Sequence, residues 1–86
     1  MANAHNSLAI ELAKKKLLDD SIFHFKEAVR LNPKFIDAQN NLGFAYLLKG
    51  KYSEAIRIFQ TILKNNPLHQ TAKNNLNKAI EKAKKQ

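Results

Sequence analysis

Residues 42–67 read LGFAYLLKGKYSEAIRIFQTILKNNP, and two apolar series run through them. Leu42, Gly43 and Tyr46 share one face at helical spacing, and Ala55, Ile56, Phe59, Ile62 and Leu63 form a second series after a polar interruption. Gly50 supplies a permissive residue where the first series stops. Pro67 bars continuation of the second and disfavours the α conformation at Asn66 before it. The stretch predicts a helix, a turn and a second helix.

Moving outward by 34 residues in either direction finds the same pattern. Ala4, Asn6 and Leu8 recur as Ala38, Asn40 and Leu42, and again as Ala72, Asn74 and Leu76. Lys15 pairs with Lys49, Ile22 with Ile56, Phe25 with Phe59, and Asn32-Pro33 with Asn66-Pro67. In the first unit Leu8, Ala9 and Leu12 share a face of the first helix, and Ile22, Phe25, Ala28 and Val29 form the second series. Helix boundaries are expected near 17–19, 32–34, 49–52 and 66–68. The small residues Ala9 and Gly43 let the partner helix cross closely, and Phe25 and Phe59 fill the space between. Each phenylalanine contributes on the order of 2–3 kcal/mol by burial.

Leu42-Gly43-x-x-Tyr46, then Ala55-x-x-x-Phe59, then Pro67 resembles the tetratricopeptide repeat in residue type and spacing. The first unit is more degenerate, with Leu8-Ala9-x-x-Leu12, Ser21-x-x-x-Phe25 and Pro33, and Lys16 stands where the turn prefers glycine. His5, Gln39 and Lys73 stand where the pattern prefers tryptophan. The resemblance implies an all-α fold, a right-handed α-solenoid of antiparallel helix hairpins with five helices. Repeat 1 would span 2–34, repeat 2 36–69, and a C-terminal capping helix 70–86, in a single domain over 1–86. Both ends read as capped. Lys73, Asn77, Ile80 and Lys84 would give the last helix a polar outer face, and Glu11 stands in register with the small residues Ala45 and Ala79.

Composition agrees. Eighty-six residues make one small domain, too short for a multidomain enzyme, and 44% hydrophobic content with two Gly and two Pro fits a folded chain. Without cysteine there is neither a disulfide framework nor a thiolate metal site, so packing alone must stabilise the fold. The longest apolar run, Phe44 to Leu48, is far too short for a bilayer, so no membrane partner is expected, and the protein reads as cytoplasmic. Fifteen Lys plus Arg against seven Asp plus Glu give +8, favouring acidic partners; only two of the fifteen are arginine, the residue that forks onto phosphate.

The chemistry of an enzyme is not legible. His5, His24 and His69 lack ligand-like spacing, so no metal or other cofactor is expected. Asp20 and His24, four apart on one helix, read as a surface pair rather than a catalytic one. The glycines, seven residues apart, cannot build a phosphate-cradling loop.

The first helices of the units each leave a stripe facing away from the hairpin partner, and stacking lines these stripes along a concave side. The stripe holds Asn3, Asn6, Ser7, Ile10 and Lys14; then Asp37, Asn40, Asn41, Phe44, Leu47 and Leu48; then Thr71, Asn74, Asn75, Lys78 and Lys82. Of these, Asn6, Ile10, Lys14, Asn40, Asn41, Phe44, Leu48, Asn75, Lys78 and Lys82 are the candidate peptide-binding residues. Asparagine offers donor and acceptor together, matching an extended peptide backbone, and Asn41 and Asn75 resemble the asparagine ladder of some tetratricopeptide grooves. Phe44 and Leu48 would grip an apolar side chain. Lys14, Lys78 and Lys82 would attract an acidic flank or merely form a solvated rim.

The family's chaperone-binding members use a two-carboxylate clamp, which would need Lys or Arg at Asn6, Thr71 and Asn75 and Asn at Ile10; only Asn41 fits, which argues against a chaperone tail. The expected function is a non-catalytic adaptor or scaffold holding a short protein or peptide segment. The alternatives are a homodimer with a self-filled groove and, less favoured, a nucleic-acid partner for the lysines, which have no interleaved aromatics to stack bases.

Overall fold

The computed structural model describes residues 1–85, and among them the chain is all-helical, without strands. The helices are α1 (Ala2–Lys14), α2 (Leu18–Leu31), α3 (Ile36–Lys49), α4 (Tyr52–Asn65) and α5 (Gln70–Lys84). Each packs mainly on the next, while α1 with α3 and α3 with α5 touch more lightly. The result is a slab of 35 × 27 × 16 Å, with α1, α3 and α5 side by side as expected for a solenoid of helix hairpins.

Local chemistry explains the helix ends. Asn32 and Asn66 take φ/ψ of −141°/89° and −137°/75°, the extended conformation their following prolines demand. The amides of Phe35 and His69 then close matching turns on the Asn32 and Asn66 carbonyls, both at 3.0 Å. His69 also caps α5, its Nδ1 accepting from the Ala72 amide at 3.0 Å.

The first loop lies at 15–17, earlier than the 17–19 expected from the sequence. The cause is a left-handed turn at Lys16, φ 63°, that matches Gly50, φ 86°, one repeat later. Leu17 donates to the Leu12 carbonyl as Lys51 does to Tyr46, both at 2.9 Å. The turn forms without its glycine because the chain must reverse there for α2 to cover α1.

Two apolar clusters form the core. Ala9, Ile22, Phe25, Leu42 and Ala45 build one and Leu47, Ala55, Phe59, Ile62, Ala72 and Ala79 the other, with Tyr46 and Ile58 packed against both. Gly43 has the expected role, for a Cβ there would meet Phe59 ring carbons at 2.7 and 2.8 Å. In the first hairpin the corresponding close approach carries a polar contact: buried Ser21 donates through Oγ to the Ala9 carbonyl at 3.0 Å.

Two expected positions differ. Leu8 is 45% exposed while Leu42, its equivalent, is 8% exposed. Leu42 lies within the cluster of Ile22 and Phe25, which α2 supplies from the helix before its own, whereas α1 is the first of the described helices. Leu47, placed on the concave stripe by helical arithmetic, is buried among Phe59, Ile62 and Ala79, because α5 covers that side of α3.

Candidate functional site

The candidate residues come from α1 (Asn6, Ile10, Lys14), α3 (Asn40, Asn41, Phe44, Leu48) and α5 (Asn75, Lys78, Lys82). Ile10, Lys14, Asn41, Phe44 and Leu48 converge on one pocket of about 250 Å³ between α1 and α3. Phe25, Ala13 and Ala45 complete its lining. These three were missed on the stripe, since their register assigns them to other faces; Phe25 reaches the pocket from α2. Phe44 and Leu48 remain exposed, at 36% and 53%.

Lys78 joins the site from α5. Its Nζ lies 5.9 Å from the centroid of the Phe44 ring, within cation–π range. Lys14 sits on the opposite wall and forms an exposed ion pair with Glu11 at 3.4 Å. Lys82 lies beyond Lys78 along α5 and is exposed. Apolar ground is thus bordered by ammonium groups from two helices.

The asparagines are arranged differently from a row of free amides. Asn41 Nδ2 donates to Asn6 Oδ1 at 3.2 Å, and Asn75 Nδ2 donates to Asn40 Oδ1 at 3.4 Å. Each bond ties one first helix to the next across the stack. An amide side chain carries two donor hydrogens and two acceptor sites, so these bonds occupy only part of its capacity. The two bonds brace the helices, and of these four asparagines Asn41 is the one that lines the pocket.

Elsewhere the structure assembles a pair that sequence spacing hid. His5 and His24, on different helices, meet Nδ1 to Nδ1 at 3.0 Å, one donating and the other accepting. Their rings lie 5.2 Å apart, and Phe23 packs edge-on to His24. His24 therefore turns to His5 rather than to Asp20. Among the described residues, no group of three or more His, Asp or Glu side chains is placed to hold a metal ion. On the same helix, Arg30 hydrogen-bonds the Glu27 carboxylate and holds its pKa below the ordinary value, raising its own in return. No described helix is long and apolar enough to cross a membrane.

Comparison with known proteins agrees with this geometry. The tetratricopeptide repeat profile matches residues 12–76. The chain is 33% identical over 73 residues to the tetratricopeptide repeat domain-containing protein PYG7, chloroplastic, of Arabidopsis thaliana, covering 85% of this chain and 24% of that protein. It is 33% identical over 76 residues to the uncharacterized protein ycf37 of Cyanophora paradoxa, covering 88% and 44% respectively. Superkiller protein 3 of Schizosaccharomyces pombe is 36% identical over 55 residues, 64% of this chain and 4% of that protein. The chain thus spans less than half the length of each of these relatives. With five helices in hairpin register, repeated proline turns and this match, the chain belongs to the tetratricopeptide repeat family, whose repeats are generally non-catalytic protein–protein interaction modules.

Proposed function

We propose that the protein is an adaptor that holds a short segment of a partner in its concave groove, with one apolar side chain of that segment in the pocket between α1 and α3. The carrying observation is the convergence of Ile10, Phe44 and Leu48 on an open pocket of about 250 Å³. That space suits one leucine- or phenylalanine-sized anchor. The remaining amide capacity of Asn6, Asn41, Asn40 and Asn75 would meet the backbone of an extended peptide, giving affinity without reading its sequence.

A peptide-library screen with the parent, Phe44→Ala and Asn41→Ala tests this. Phe44→Ala should weaken most hits about tenfold or more, as the loss of a central aromatic contact does. Asn41→Ala should weaken them less. Hits that bind both variants as well as the parent would refute the groove assignment.

The exposure of Phe44 and Leu48 also supports a second reading, in which another copy of the chain fills the groove. Sedimentation across a concentration series separates the two. A tight dimer converted to monomer by Phe44→Ser favours self-association, and a monomer at all concentrations leaves peptide capture.

A further inference from the structure

We infer that the groove contains a second compartment, a carboxylate subsite at Lys14 and Lys16, that makes it selective for partner segments with an acidic residue beside the apolar anchor. The inference rests on the anchor reading above. Ala13, Lys14, Lys16, Leu18 and Leu48 line a pocket of about 340 Å³ that shares Ala13, Lys14 and Leu48 with the anchor pocket. The two are therefore adjacent, and a segment whose apolar side chain fills the first can reach the lysines of the second.

Two observations mark this compartment as cationic. Lys14 belongs to both pockets, and its counter-ion Glu11 is exposed at 3.4 Å, weakly held and displaceable by a bound carboxylate. Lys16 takes no part in the ion pairs among the described residues, which are Lys14–Glu11, Arg30–Glu27 and Lys49–Asp19. Its φ of 63° is the conformation that the equivalent turn gives to Gly50. A lysine at a site whose geometry favours glycine carries backbone strain, and strain of this kind clusters at ligand clamps and other functional sites. Lys16 also lies outside the positions of the family's known two-carboxylate clamp. The partner chemistry that fits is an anionic peptide segment: an aromatic or aliphatic anchor with Asp or Glu close by.

The test uses the intact chain and short glycine–serine peptides carrying one phenylalanine, followed by Glu or by Gln. Binding is read by NMR titration at low salt. The Glu peptide should bind about fivefold tighter than the Gln peptide, with the margin shrinking as salt rises. In Lys16→Gly the margin should fall to about twofold, and in the Lys14→Gln, Lys16→Gly double variant it should vanish. Lys16→Gly relaxes the turn, so a lost preference cannot be ascribed to damaged folding. An undiminished preference for Glu in the double variant overturns the subsite. So does Phe44-dependent binding of both peptides with equal affinity, although the anchor reading then survives. If neither peptide shows Phe44-dependent binding, both readings fall.

Discussion

The hairpin of α1 and α2 and the hairpin of α3 and α4 share one register, yet they reach the same geometry by different chemistry. The second uses residues with no side chain in the way: Gly43 lies beneath the Phe59 ring, and Gly50 turns the chain left-handed. In the first hairpin Ala9 and Ser21 stand at the crossing, with the Ser21 hydroxyl on the Ala9 carbonyl, and Lys16 takes the left-handed turn. The difference teaches that the backbone path is set by the packing of the phenylalanines and the positions of the turns. Small residues lower the cost of that path but do not define it.

The strongest way to break the comparison is to remove its shared element. Phe59→Ala should cost about 3–5 kcal/mol in urea unfolding, a large part of the stability of a domain this small. Phe25→Ala should cost less, because Phe25 already borders the open groove.

Next in size is Gly43→Ala. Its Cβ would meet Phe59 ring carbons at 2.7 and 2.8 Å and Ile58 Cγ2 at 3.2 Å. A loss of about 1–3 kcal/mol is expected. Pairing it with Phe59→Leu should lose less than the sum of the two single changes, since the smaller side chain removes the clash.

Exchanging the turn residues sharpens the contrast. Lys16→Gly should raise stability by up to about 1 kcal/mol, the relief of the left-handed strain being partly offset by a freer unfolded chain. Gly50→Lys should lower it by a similar amount, measured by thermal melting. Equal and negligible effects would show that neither turn is strained.

The smallest expected effect is at the surface of α2. Arg30 lowers the Glu27 pKa in the folded state, so this pair's contribution is complete above the ordinary carboxylate range and is lost as pH falls through the lowered value. Glu27→Gln should flatten the acid limb of the stability profile slightly. An unchanged profile would mean that the pair contributes nothing to folding.

Much of the architecture was legible from local chemistry. Asn32-Pro33 and Asn66-Pro67 placed two turns, the recurrence of Phe25 as Phe59 gave the period, and Ile10, Phe44 and Leu48 were already grouped by helical arithmetic. The pocket's floor was not legible, because Phe25 belongs to the second helix of its hairpin and reaches the groove only through packing. Leu47 shows the same limit: one helix's periodicity cannot tell that α5 will cover it.

From the residue order alone came the repeating helix pairs, their turns and the side that faces outward, because these depend on spacing and on backbone preferences of a few neighbouring positions. Assembly in three dimensions chose which leucines are covered, joined Asn6 to Asn41 and His5 to His24, and opened the anchor pocket beside Lys14 and Lys16. Those outcomes depend on distances between helices, and contacts separated by 19 or 35 residues leave no trace in any local pattern.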